Sequence, residues 1–388
     1  MPHILFEKHS DIDLSKDDSS LKTKFNFIAN STYDQKIGAT IEGKEFLLTK
    51  VDKNGNDLVK LDNATRLTPV DLMKTALNDY ATYSGAKVLF TNAISIYNKM
   101  VPEDSYLKTI EYFTNEFKTD KEIWVEVGFG SGVHLLHQAR TNPDKLIIGL
   151  EIHTPSIEQV LKQVKIENIT NVLVINYDAR LFLEFLKSNS VGRIFVHFPV
   201  PWDKKPHRRV FSDEFIEESL RVLKVGGTLE LRTDSPNYFE YSSGLLDHFK
   251  EYPSTITKNQ DLAVTSKYEA RWKRQEKDIW DIIITSTKES EDIVLDGDFN
   301  FPNITDIEKV KENISNFKVV KDSFLIHFET IYTIGEDGML IKVTFGSFNR
   351  PVTKYIIVEN NKPRYFQGDP IKTKTNLKAH KKIIESFK

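Results

Sequence analysis

The chain has 388 residues, a formal net charge of -3, 39% hydrophobic and 11% aromatic residues, and no cysteine. Its length exceeds the roughly 100–200 residues of one domain, so two or three domains are expected. The absence of cysteine excludes disulfides, cysteine-zinc sites and thiol nucleophiles, while the mildly negative charge leaves any nucleic-acid binding to local basic patches.

The opening MPHILFEKHSDIDLSKDD is too charged for a secretory signal, and no apolar stretch approaches the ~20 residues of a membrane span. A soluble, cytoplasmic protein is expected. Residues 1–66 read as a β-rich module: apolar and polar residues alternate from about 24 to 62, with EG and KNGND as turn signals. A connector of helix and strand follows over 67–104, its helix predicted over 68–84 with Thr68 as N-cap and Pro69 in the first helical position. Residues 105–290 alternate short apolar runs with helical patterns, which predicts a parallel α/β sheet. Residues 291–388 become strand-like again and end in a basic helix, NLKAHKKIIESFK. No internal repeat is evident.

The chemistry gathers in the middle. EIWVEV reads as a buried strand and runs directly into GFGSG (Gly128, Gly130, Gly132), which opens a helix. Glycines there permit positive φ and close approach of a ligand, and the helix offers free N–H groups. KLIIGLEIH ends in Glu151, where a carboxylate can accept both hydroxyls of a ribose, and NVLVINYDA ends in Asp178. Three successive strands thus present glycine or acid at one sheet edge. Glu126 lies two residues before the first glycine, inside an apolar strand; it would repel a pyrophosphate and attract a methionine ammonium. The loop is also shorter than the G-x-G-x-x-G dinucleotide fingerprint. S-adenosylmethionine therefore suits this loop better than a nicotinamide dinucleotide.

EVGFGSG, GLEIH, NYDA, FPVPWDKKPHRR, RVLKVGGTLELRTD and SKYEARWKR, in that order, resemble the motifs of the bacterial tRNA (guanine-N7)-methyltransferases over roughly residues 105–285. The resemblance implies a Rossmann-like, seven-stranded class I methyltransferase domain flanked by small β-rich modules, acting with S-adenosylmethionine on N7 of guanine-46 in the tRNA variable loop. It implies cofactor contacts at Glu126 (methionine end), Gly128, Gly130, Gly132, Glu151 (ribose) and Asp178 (adenine amino group). Substrate contacts are implied at Lys204, Asp234, Ser266 or the neighbouring Thr265, Glu269, Arg271 and Arg274. Lys205, Arg208 and Arg209 extend the basic stretch after the proline turn as candidate phosphate ligands. No metal is implied, and His134, His137 and His153, lacking grouped partners, read as structural or surface residues.

The family turn carries an aspartate where this chain has Val200. N7 of guanine already holds a lone pair, so methyl transfer needs no deprotonation; the site must supply in-line geometry and tolerate the positive charge of the product. Asp234 is expected to orient the base, with Asp203 as a second candidate. Phe198 and Trp202 have two readings: stacking against a flipped base, or packing under the helix DEFIEESLRVLK. Lys372, Lys374, Lys378, Lys381 and Lys382 likewise grip substrate or belong to a module that merely covers a sheet edge. The alternative activity is a class I methyltransferase acting on another RNA or a small molecule; FPVPW lacks the polar first residue of the amino-methyltransferase motif.

Overall fold

The computed structural model describes residues 2–15, 19–67, 69–94, 103–261, 277–315, 317–320, 324–347 and 351–388. Two compact units result: Met1–Lys99 together with Leu295–Lys388, and Met100–Val294. The first unit thus takes in both β-rich stretches and the connector's helix and strand, which the sequence reading divided at 1–66, 67–104 and 291–388.

In that unit, Thr23–Asn30, Gln35–Ile41, Lys44–Lys53 and Asn56–Leu61 form an antiparallel meander. Leu325–Ile334, Gly338–Gly346, Pro351–Glu359 and Lys362–Tyr365 form a second. A meander leaves its first strand as an open edge, and here the two first strands meet, Asn30 opposite Thr333, to make one sheet. Tyr355 donates to Asp62 at 2.9 Å, Asp62 pairs with buried Lys36 at 3.0 Å, and Arg364 forks onto Glu45. The Tyr355–Asp62 and Arg364–Glu45 bonds join segments some three hundred residues apart, a pairing that local sequence patterns cannot reveal.

Strand alternation buries one face of each meander under a helix. Val70–Ser84 lays Leu72, Ala76, Leu77 and Tyr80 on Phe25, Phe46 and Leu48. Pro69 stands in extended backbone before that helix rather than inside it, and Thr68 lies outside the described residues. Lys374–Ile383 places Leu377 and Ile383 on Ile341, Val343 and Phe345.

The second unit is α/β. Its sheet runs Ser254–Lys258, Trp280–Thr285, Leu223–Thr233, Val191–His197, Ile123–Val127, Leu146–Glu151, Val172–Asn176 and Leu107–Lys108. The last is a two-residue edge strand added to the expected seven. Strands from Leu223–Thr233 to Val172–Asn176 are parallel, and Trp280–Thr285 is antiparallel to its neighbour. Chain order reverses at Ile123–Val127: the next strand pairs on one side, and Val191–His197 on the other. Such a switch point opens a crevice beyond the carboxyl ends of the strands.

Candidate functional site

The register brings the expected tips to one edge. Val127 lies opposite Leu150, Asn176 opposite Glu151, Phe195 opposite Glu126, and His197 opposite Arg232. The glycine loop, Glu151, Asp178, the proline turn and Asp234 therefore leave from the ends of five adjacent parallel strands.

Gly128, Gly130 and Gly132 all have positive φ, at 69°, 52° and 73°. At Gly132 a Cβ would stand 2.1 Å from Val160 Cγ2, so glycine there lets the loop close on the helix Thr154–Glu167. No side chain approaches a Cβ built on Gly128 or Gly130, which leaves their backbone open to a ligand.

Glu126 is 3% exposed, and a buried carboxylate needs a partner. That partner is His134, in the first turn of Val133–Thr141, whose Nδ1 lies 2.8 Å from Glu126 Oε2. Gln138 Nε2 is 2.9 Å from His134 Nε2. Nδ1–H donates to the Glu126 carboxylate, and the Gln138 amide meets the other ring nitrogen, so both sides of the imidazole are held. His134 thus belongs to the site, which corrects its reading as a lone histidine. Its spacing from Glu126 spans strand, loop and helix start, so no single periodicity exposes the contact.

Glu151 folds over the loop: Oε2 accepts from Gly130 N–H at 2.9 Å, and Oε1 from the N–H groups of Ile152 and His153 at 2.8 and 3.0 Å. Asp178 caps the short helix Ala179–Phe182 and is forked by Arg180, with Nη2 2.6 Å from Oδ2.

The proline turn is strained, since Phe198 and Trp202 both adopt positive φ, at 49° and 47°; such conformations cost about 1–3 kcal/mol each. Phe211, Phe215, Ile216 and Leu220 fill the core beneath Asp213–Val222. Trp202 is not part of that core: it is 37% exposed, and the Arg208 guanidinium lies 5.1 Å from its ring centroid. Val200 is exposed as well.

Lys204, Lys205 and Arg208 face solvent, but Arg209 does not, and its expected place in the exposed basic stretch is corrected. Its Nε donates to the Pro201 carbonyl at 2.8 Å, and its guanidinium lies 4.5 Å from the Tyr241 ring centroid. Asp203 stands 3.5 Å from the same guanidinium and 3.4 Å from Asn237 Nδ2. Arg209 is therefore the latch that shapes the turn.

Asp234 follows Leu223–Thr233 and pairs with Lys277 at 3.3 Å. The adjacent Arg232 is buried on Asp281, with Nη1 at 2.7 and 2.8 Å from its two oxygens. Ser266, Glu269, Arg271 and Arg274 lie outside the described residues.

His197 ends its strand with its ring centroid 4.5 Å from that of His134. Burial, then His134, then Arg232 hold its pKa well below the usual histidine value. The sign follows from linkage: above about pH 6.5 the residue is neutral in both folded and unfolded chains, so its full contribution is present. As pH falls below that value the unfolded chain takes the proton first, and stability drops until the depressed folded pKa is reached. Melting temperatures from pH 7.5 to 5 are expected to fall less in His197→Gln than in the wild type; parallel curves would refute this.

A protein-family model described as "Putative methyltransferase" matches residues 120–282. The tRNA (guanine-N(7)-)-methyltransferase of Wolinella succinogenes is 42% identical over 360 residues, 91% of this chain and 91% of that protein. The enzyme of the same name from Campylobacter fetus subsp. fetus is 41% identical, covering 88% of each chain. That of Campylobacter jejuni subsp. jejuni is 36% identical over 100% of this chain and 99% of its own. The similarity extends through both units, beyond the methyltransferase segment alone.

Proposed function

From the membership of this chain in the tRNA (guanine-N7)-methyltransferase family, we propose that its substrate atom is N7 of guanine-46 in the tRNA variable loop. The chain is an S-adenosylmethionine-dependent methyltransferase. The observation that carries the site assignment is the row of carboxylates, Glu126, Glu151, Asp178 and Asp234, at strand ends around a positive-φ glycine loop. Among the described residues no helix is long and apolar enough to cross a membrane, and no side-chain cluster could hold a metal. We place the activity in the cytoplasm, with its tRNA.

The residues present fit S-adenosylmethionine: the space beside Gly128 and Gly130 is open, and a buried carboxylate underlies it. When bound, that cofactor supplies a sulfonium-activated methyl group. Glu126, steered by His134, faces the cationic ammonium. Glu151 accepts from the ribose hydroxyls, with Gly130 N–H fixing its rotamer. Asp178, braced by Arg180, accepts from the adenine amino group. Guanine N7 would take the methyl through its own lone pair as the methyl's bond to sulfur breaks and leaves a neutral thioether, so no general base is needed, and Asp234 would accept from the Watson–Crick edge while stabilising the purine cation. Asp203 is the second carboxylate in reach of the turn. Lys204, Lys205 and Arg208 meet backbone phosphate, as do Arg271 and Arg274, with Ser266 and Glu269 completing the base contacts.

Glu126→Gln is expected to raise the cofactor Kd about tenfold or more, the loss of one charge-assisted hydrogen bond. His134→Asn keeps an N–H near the Nδ1 position and should retain affinity that His134→Leu loses; titration calorimetry reads both, and equal Kd values in all variants would remove Glu126 from the cofactor. The activity itself is tested by incubating unmodified total tRNA with labelled cofactor and mapping the methyl by borohydride and aniline cleavage. Cleavage at guanine-46 is expected. Cleavage elsewhere overturns the position, and none overturns the activity.

A further inference from the structure

The two meanders of the first unit are built alike: four antiparallel strands, a helix packed over them, and a third hairpin closed by two left-handed residues, Asn54–Gly55 in one and Asn360–Asn361 in the other. Each meander carries its helix on strands of its own, and the two helices present different residues outward. Val70–Ser84 exposes Asp71, Asn78 and Thr82. Lys374–Ile383 exposes Lys374, Lys378 and Lys381, at i, i+4 and i+7, a stripe about 10 Å long.

The three lysines are exposed and lie off the buried face of their helix, so packing does not account for them. None of the three has an ion-pair partner among the described residues, whereas neighbouring Lys382 pairs with Glu385. Between residues 370 and 388 the chain carries six lysines against one glutamate, within a protein of net charge -3. Unpaired like charges one and two turns apart repel each other, and a polyanion relieves that repulsion.

We propose that Lys374, Lys378 and Lys381 form a phosphate-binding stripe through which this unit grips the tRNA backbone, a second foothold outside the segment that matches the methyltransferase family model. The stripe carries no sequence information; it adds affinity and salt dependence. The proposal rests on tRNA being the substrate.

The test replaces all three lysines by alanine in the full chain, with an all-arginine variant as control. Unmodified tRNA is the probe, its Kd measured across 50–200 mM KCl and its methylation followed by steady-state kinetics. Each lost phosphate contact lowers the slope of log K against log salt by about 0.7–0.9, so the alanine variant should lose about 2 units of slope. Its KM for tRNA should rise about tenfold or more at 50 mM salt, with kcat and cofactor Kd unchanged and the arginine variant near wild type. Slope and KM equal to wild type would overturn the stripe. A wild-type protein that forms no N7-methylguanine on tRNA would instead overturn the functional reading, whatever the alanine variant binds.

Discussion

Replacing Asp234 by Asn is expected to lower turnover about 100-fold, the scale of loss when a reacting base is no longer held in line, while the cofactor Kd stays at its wild-type value. Val200 is an exposed apolar side chain, at the place where the resemblance leads one to expect a carboxylate. Two acids remain near the strand ends. Asp203 is half exposed and shared between Arg209 and Asn237 at long range, 3.5 and 3.4 Å. Asp234 is more enclosed, with its side chain 21% exposed, and follows directly on a strand anchored by the buried Arg232–Asp281 pair. The better-held carboxylate loses less orientation entropy on meeting the base. Asn keeps the shape but surrenders the charge and one acceptor, so single-turnover rates should fall while tRNA affinity changes little. Asp203→Asn should cost much less. Near-normal methylation by Asp234→Asn would remove Asp234 from the active site, and a larger loss in Asp203→Asn would transfer the role.

Much of the second unit was legible because fully buried parallel strands read as unbroken apolar runs, and because each run ends in a residue the interior would not tolerate: Gly128, Glu151, Asp178, Asp234. What escaped had no local signature. The His134–Glu126 contact depends on how a loop returns a helix over its own strand. Arg209 sits in a run of charges that reads as solvated throughout, and the aromatic surface that takes it inward comes from Tyr238 and Tyr241, about thirty residues on. Of the two readings of Trp202, packing beneath the helix does not hold, because Phe211 and Phe215 fill that space and the indole lies against Arg208. The joining of the terminal meanders was hidden by distance along the chain, since the bonds between Asp62 and Tyr355 and between Glu45 and Arg364 unite residues from opposite ends.

Asp281→Ala is expected to destabilise the methyltransferase unit by about 3–5 kcal/mol, because it takes the carboxylate from a buried guanidinium. Arg232 and Asp281 face each other in register across antiparallel strands, and Arg232 Nη2 also donates to the Gln260 carbonyl at 2.8 Å. The pair therefore fixes the register of Leu223–Thr233 against Trp280–Thr285, and with it the positions of Asp234 and Lys277, which meet at the same end of the two strands. Against a total stability of about 5–15 kcal/mol, the loss should lower the melting temperature on the order of 10 °C. Burying two charges is itself costly, so Arg232→Met combined with Asp281→Leu should recover much of that stability. Catalysis separates the two effects: if the pair serves only the fold, the double variant regains turnover along with its melting temperature. If it also sets the Asp234 tip, the double variant melts like the wild type yet methylates slowly, since apolar packing holds the strands together without dictating their register to one residue. Melting of Asp281→Ala within about 2 °C of wild type, less than the shift expected from a loss of 1 kcal/mol in a domain of this size, would show that the ion pair anchors neither.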